Sequence, residues 1–233
     1  MLTVVCCLWH DAQRARSYTF NHDHVRILRN MVARNLSIPH RFVCVTDDAI
    51  EGIETVPIDW TKHFPGTCGV KLMLWRPDIG TLLGERIFYL DLDVVITGSL
   101  DPLVNRTDDI VLWRNPNYTL GGRRAFYQGS VQLLAAGARP QVWELAKWPE
   151  ALPIVNRRFG GFEQAWLSEV LPWDEAHWTS ADGLYGAGRL GDAYPGVQTE
   201  LPLNARIVSF PGNREPSQAE VQQKHGWIRD HYH

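Results

Sequence analysis

The chain has 233 residues, 45% of them hydrophobic and 21% charged, with a net charge of −3 and a pI near 6.3. That balance fits one globular domain with a sizeable core, and it offers no basic surplus to argue for a nucleic-acid partner, though a local basic groove would not show in the sum. No run approaches 18 consecutive apolar residues, so no membrane-spanning helix is expected.

Met1 to Trp9 is apolar but too short for a signal peptide, and no basic stretch precedes it. The four cysteines lack zinc spacing, and Cys6 and Cys44 fall inside apolar runs, where free thiols act as small hydrophobes. A reducing, cytoplasmic location follows as an expectation. The ten tryptophans are many for this length, and rings of this kind stack on sugars.

Leu2 to Leu8 reads as a first buried strand. Asn21-His22-Asp23-His24 then precedes a helical pattern from Val25 to Leu36, with Asn21 or Asp23 as N-cap. His22 and His24 have no third ligand at zinc spacing and read as a solvated cap. Arg41 to Thr46 is a second strand, ended by the loop residues Asp47 and Asp48, and Glu54 to Ile58 a third. Strand, helix, strand is a βαβ unit, which favours a parallel sheet. No Gly-x-Gly-x-x-Gly follows the first strand, which argues against a dinucleotide site. Val70 to Arg76 is helical by composition, halted near Pro77.

The most informative stretch is Ile87-Phe88-Tyr89-Leu90-Asp91-Leu92-Asp93-Val94-Val95-Ile96. Its first half has the composition of a strand buried on both faces. Asp91 and Asp93 follow, two residues apart, and in extended chain both would face one point while Leu92 turns into the core. Two acids placed together at a strand end repel unless a positive group lies between them. A hard divalent cation, Mn²⁺ or Mg²⁺, takes oxygen ligands and shares its shell with phosphates.

From Tyr89 to Leu103, the order Tyr-Leu-Asp-x-Asp-Val and then Gly-Ser-Leu-Asp-Pro-Leu resembles GT-A-type glycosyltransferases. It is most similar to the glycogenin and lipopolysaccharide-galactosyltransferase family. The resemblance implies that Asp91 and Asp93 bind Mn²⁺ or Mg²⁺, which holds the diphosphate of a nucleotide-sugar. It also implies donor contacts from Trp9, at the end of the first strand, and from Lys71, which stands where the family has a basic residue.

Beyond this stretch, Asp109 to Trp113 is a strand, and Asn115 to Arg124 a polar loop over the site. Tyr127 to Leu134 is similar to the family's Asn-Ser-Gly-Val strand, with Gln128 in place of the Asn and the Gly129-Ser130 order reversed; Gln128 and Gly129 are thereby donor-site candidates. Arg139 to Trp148 is an amphipathic helix. Glu163-Gln164-Ala165-Trp166-Leu167 resembles the family's Asp-Gln-x-x-Leu segment, which makes Glu163 and Gln164 the catalytic candidates. In a retaining enzyme they would lie under the anomeric carbon, and in an inverting one Glu163 would deprotonate the acceptor.

Leu171 to Asp192 has no clean period and is expected to form an irregular acceptor side carrying Trp173, Trp178 and Tyr185. The closing run Ser209-Phe210-Pro211-Gly212-Asn213-Arg214-Glu215-Pro216 resembles the family's His-x-x-Gly-x-x-Lys-Pro. Ser209 stands at the His and Glu215 at the Lys, with Gly212 and Arg214 as further donor contacts. The third metal ligand is therefore open among a hydroxyl, a water and His225. Trp227 to His233 reads as a short helix or tail folded back on the domain.

The expected fold is α/β, a GT-A-like Rossmann-type domain with a mostly parallel central sheet. Residues 1–104 would form the donor half and 105–233 the acceptor half. The expected activity is metal-dependent transfer from a nucleotide-diphospho-sugar, most simply UDP-linked. The acceptor would be a glycan, a lipid-linked sugar, a protein or a modified nucleic-acid base. A metal-dependent nucleotidyltransferase and a non-catalytic carbohydrate-binding protein are the alternatives from other classes.

Overall fold

Strand β1 (Leu2–Cys7) is buried along its whole length in the computed structural model, which describes residues 1–9, 20–57, 68–114, 119–120, 123–124, 127–146, 163–187, 200–210 and 214–233. Its side chains alternate between two apolar clusters, with Val4 and Cys6 in one and Val5 and Cys7 in the other. A strand covered on both faces has no need for polar residues, hence the unbroken apolar run.

Helix α1 (His22–Asn35) crosses from β1 to β2 (His40–Val45), which lies parallel to β1, and β3 (Glu54–Val56) extends the sheet. Asn21 is the N-cap, accepting from the Asp23 and His24 amides, and His24 returns the bond in a capping box. The pair His22 and His24 is thus a helix start, as expected, with His22 also 2.8 Å from Asp48. Ile58, assigned to the third strand from sequence, lies outside the described residues.

Residues Cys68–Trp75 form a 3-10 helix rather than the expected α-helix. Pro77 has no N–H to give the Met73 carbonyl, and Arg76 donates to it instead at 2.9 Å, three residues on. After α2 (Gly80–Leu83), strand β4 (Arg86–Leu90) lies parallel to β1, and β5 (Val94–Ile96) leaves for a second sheet. Helix α3 (Asp101–Val104) and β6 (Ile110–Arg114) follow. Within the expected polar loop, β7 (Thr119–Leu120) and β8 (Arg123–Arg124) pair as an antiparallel hairpin.

Strand β9 (Tyr127–Ala135) is antiparallel to both β4 and β6. The central sheet of seven strands runs β10-β6-β9-β4-β1-β2-β3, with β10 (His177–Trp178) at one edge, and all its other pairings are parallel. Helices α4 (Gln141–Ala146) and α5 (Glu163–Val170) cover one face with the 3-10 helix; residues 147–148 of the expected fourth helix lie outside the described residues. A three-stranded sheet, β11 (Leu184–Gly186), β12 (Ile207–Ser209) and β5, packs with α1 on the other. The chain closes with α6 (Ala219–Lys224) and α7 (Ile228–His231). Among the described residues no helix is long and apolar enough to cross a membrane.

Candidate active site

In an open α/β sheet, ligand sites form beyond the carboxyl ends of the parallel strands. Here those ends are Cys7 of β1 and Leu90 of β4, joined by the start of β9, whose antiparallel run brings Gln128 and Gly129 to the same edge. Strand pairing stops where the Asp91 amide donates to Ser130 at 2.9 Å. Residues 91–93 then turn out of the sheet toward β5, so the Asp pair sits in a turn and not in the extended segment expected from sequence. Leu92 is buried as expected.

Asp91 is held from two sides. Tyr89, two residues earlier and therefore on the same side of the strand, donates its hydroxyl to Oδ1. Lys71 Nζ lies 3.1 Å from both carboxylate oxygens. Lys71 itself is 4% exposed, on a 3-10 helix whose residues Val70 to Trp75 are all buried, and the same ammonium pairs with Glu163. It also stands 5.6 Å from the Tyr89 ring centre. A buried ion pair holds only when its geometry is good and its spare valences are filled; here one cation bridges two acids. Lys71 is therefore a buried residue of the site and not a solvated surface lysine.

Glu163 is buried at the first position of α5, where the helix dipole favours negative charge. Burial raises its carboxyl above the usual range, and Lys71 opposes that shift. Gly129 leaves room for the pair. A Cβ there would overlap the Glu163 carboxylate and come within 3.2 Å of Lys71 Nζ. The β6–β9 register shifts at this point, so residues 129–131 have no partner on β6. Gly129 N donates to Gln164 Oε1 at 3.4 Å, and Gln132 Nε2 donates to the Gly129 carbonyl at 3.1 Å. Gln128 is buried, its Nε2 without a hydrogen bond.

Asp93 faces a different wall. Its carbonyl accepts from Phe210 N at 2.9 Å, tying the turn to the end of β12. Its Oδ1 is buried and makes no hydrogen bond. Burial first, and the Asp91 charge second, push its carboxyl well above the usual range. Glu215 is 3% exposed with Oε2 equally without a hydrogen bond, and burial together with Asp93 and Asp91 pushes its carboxyl up to about 9. The buried hydroxyl of Tyr232 has no hydrogen bond either, and burial first, then the charges of Glu215 and Asp93, raise its pKa.

Oxygens buried without partners, beside acids that repel one another, fit a hard divalent cation with oxygen ligands. Among the described residues no three acids, histidines or cysteines already stand close enough to hold an ion.

The remaining candidates divide. Trp9 is half-buried at the end of β1 and packs on the cluster that contains the 3-10 helix. Arg214 is half-buried beside Glu215, and Gly212 lies outside the described residues. Ser209 Oγ is 3.3 Å from Ser130 Oγ, whereas His225 packs against the rings of Phe210 and Trp227. Trp178 and Tyr185, expected on the acceptor side, belong to the core; Trp178 meets Phe88 edge-on and the Tyr185 hydroxyl bonds Asn204. Trp173 is exposed, its ring 5.3 Å from the Arg114 guanidinium.

Sequence reasoning missed Tyr89, Glu215 and Tyr232. For Tyr89 the two-residue spacing to Asp91 was an available signal; the other two are joined to the site only by the tertiary fold.

Comparison with known proteins returned no matching family model and no matching curated protein. Solved structures do match. The galactosyltransferase LgtC, in complex with donor and acceptor sugar analogs, superposes with a TM-score of 0.65 at 12% identity, over 97% of this chain and 93% of that one. An active-site mutant of LgtC gives 0.62 at 10% identity, over 99% and 96%. The apo glycosyltransferase GlyE of Streptococcus pneumoniae TIGR4 gives 0.53 at 11% identity, over 93% of this chain and 56% of that one. The fold is therefore that of the GT-A glycosyltransferases, α/β with a mostly parallel central sheet.

Proposed function

We propose that this chain is a metal-dependent glycosyltransferase that moves a sugar from a nucleotide-diphospho-sugar, most simply a UDP-sugar, to a glycan, a lipid-linked sugar, a protein or a modified nucleic-acid base. The observation that carries the reading is the Asp91–Lys71–Glu163 bridge under Gly129, at the carboxyl edge of an LgtC-like sheet. An ammonium buried between two acids is costly to build as mere scaffolding, and perturbed acids gathered at a sheet edge mark functional sites.

Transfer breaks the bond between the anomeric carbon and the diphosphate, so negative charge grows on the leaving group. Mn²⁺ or Mg²⁺, held through Asp91 and Asp93, supplies the opposing positive charge when bound. Lys71 fixes Asp91 and Glu163 relative to each other, which sets the distance between the diphosphate end and the sugar end of the site. Gln128, Gly129 and Gln164 line the sugar side, and a backbone without a Cβ lets the sugar approach closely. Trp9 and Arg214 flank the donor, and Trp173 with Arg114 the acceptor. The buried free thiols of Cys6, Cys7 and Cys44 suit a reducing compartment such as the cytoplasm.

The carbohydrate-binding alternative rested on the tryptophan excess, yet Trp75, Trp113, Trp166 and Trp178 are all core residues. The experiment is release of nucleoside diphosphate from UDP-, GDP- and dTDP-sugars, with Mn²⁺ and with chelator, for the wild type and Asp93→Asn. Metal-dependent release from one donor, lost in the variant, is the expected result. Asp93→Asn turnover equal to the wild type's would sink the assignment, and pyrophosphate release would move the chain to the nucleotidyltransferases.

A further inference from the structure

We propose that Arg114 and Trp173 form an acceptor subsite for an anionic sugar, whose ring stacks on Trp173 while its carboxylate or phosphate is held by the Arg114 guanidinium. The proposal rests on the glycosyltransferase reading above and names the chemical class of its acceptor.

The place follows from strand register. Arg114 is the last residue of β6, which runs parallel to β4 because each is antiparallel to β9, so it comes out at the edge that carries Asp91. It pairs with Tyr127, and Gly129 stands two residues further, about 7 Å along β9. The neighbouring loop is pinned by one phenol. The Tyr127 hydroxyl donates to the Pro172 carbonyl and accepts from the Glu175 amide at 3.3 Å, holding the chain on both sides of Trp173 and Asp174. Arg139 then grips Glu175 at 2.7 and 2.9 Å. Trp173 is thus exposed on a fixed backbone, with the Arg114 guanidinium 5.3 Å from its ring centre.

Arg114 is the unusual member. The half-buried arginines Arg86, Arg106, Arg139 and Arg206 each donate to a carbonyl or a carboxylate. Arg114, equally half-buried, makes no hydrogen bond or ion pair among the described residues, and its Nε is buried. Of the loop's two acids, Glu175 is taken by Arg139, and Asp174 is exposed and in no ion pair among the described residues. Between Arg114 and Tyr127 the chain adds Arg123 and Arg124 and no acid. A buried donor without a partner calls for one. A guanidinium is planar and always charged, and it matches a carboxylate or phosphate with two parallel N–H bonds. Trp173 supplies the apolar face for a sugar ring, and the guanidinium beside it supplies the charge. A neutral acceptor would use the first and leave the second idle.

The test is binding of three probes to the full chain by saturation-transfer NMR: methyl glucoside, its uronic acid (methyl glucuronide) and its primary phosphate ester. Wild type and Arg114→Gln are titrated at low and high salt, with nucleoside-diphosphate release from UDP-sugars measured in parallel for the wild type. Wild type is expected to bind one anionic probe at least about tenfold tighter than the neutral one, the scale of a charged hydrogen-bonded pair. Which anionic probe it prefers separates carboxylate from phosphate. That preference should weaken with salt and vanish in Arg114→Gln, while the neutral probe binds as before. Arg114→Met, which keeps the apolar stem, gives the same readout should the amide variant not fold. Equal binding of all three probes by the wild type, or binding of none, overturns the proposal. So does an equal loss for all three in Arg114→Gln, which would make Arg114 a support for Trp173 only. Nucleoside-diphosphate release without any anionic preference sinks this subsite alone. The preference without release from any donor keeps the subsite and defeats the transferase reading.

Discussion

Gly129 and Glu163 occupy one space: a Cβ on the glycine would lie on the carboxylate that Lys71 grips. Gly129 is therefore not a turn glycine but a steric allowance for an ion pair. Gly129→Ala must push Glu163 away or bend β9, and overpacking of this kind costs about 1–3 kcal/mol. The fold survives that loss. The bridge does not keep its geometry, and misplacement by about 1 Å can cost about 100-fold in rate. Melting curves and nucleoside-diphosphate release on Gly129→Ala should show a modest fall in stability beside a near-complete loss of turnover. A variant that keeps full activity would mean that Glu163 has no positional role.

Lys71 is expected to matter for stability and pH response alike. Lys71→Met leaves Asp91 and the buried Glu163 without their counter-charge, and breaking a buried pair in this way costs about 3–5 kcal/mol. Burial and the Asp91 charge raise the Glu163 carboxyl, while Lys71 lowers it. Removing the ammonium removes a charge that favours the ionised form, so the Glu163 value must move further up. Any limb of the pH–rate profile that needs ionised Glu163 therefore shifts to higher pH in Lys71→Met. Lys71→Arg keeps the charge and should leave that limb near its wild-type position even where turnover falls. A Lys71→Met profile that overlays the wild type would remove Glu163 from the reaction.

The sequence made the scaffold readable where physics is local. The apolar runs of β1, β4 and β6 and the Asn21 cap of α1 are set by neighbours within a few residues, and each appears within a residue or so of where pattern predicts it. Asp91 and Asp93 were visible because acids stand out at the end of an apolar strand. What could not be read is what joins distant chain. Lys71 and Glu163 meet only because the 3-10 helix and α5 pack on the same face of the sheet. The turn at residues 91–93 replaces the extended pair because β5 must leave for a second sheet, where it meets β12. Trp178 and Tyr185 were placed on the acceptor side for lack of a period, but two- and three-residue strands are too short to show one. Glu215 gave no signal of burial, since acids ordinarily stay in water.

Trp173 offers a test of the acceptor side that leaves the donor site alone. It is 63% exposed, and its ring lies 5.3 Å from the Arg114 guanidinium at the end of β6. A large ring kept in water and backed by a cation presents a flat face to solvent, the form that stacks on a sugar ring. Because so much of it is exposed, Trp173→Ala should change stability by no more than about 0.5 kcal/mol. Loss of one stacking contact of about 1.4 kcal/mol lowers acceptor-dependent kcat/KM about tenfold. Hydrolysis of the donor in the absence of acceptor should not change, because Asp91, Lys71 and Glu163 are untouched. Measured together, the two rates separate the halves of the site. Equal losses in both would place Trp173 with the donor, and no loss in either would make it an ordinary exposed tryptophan.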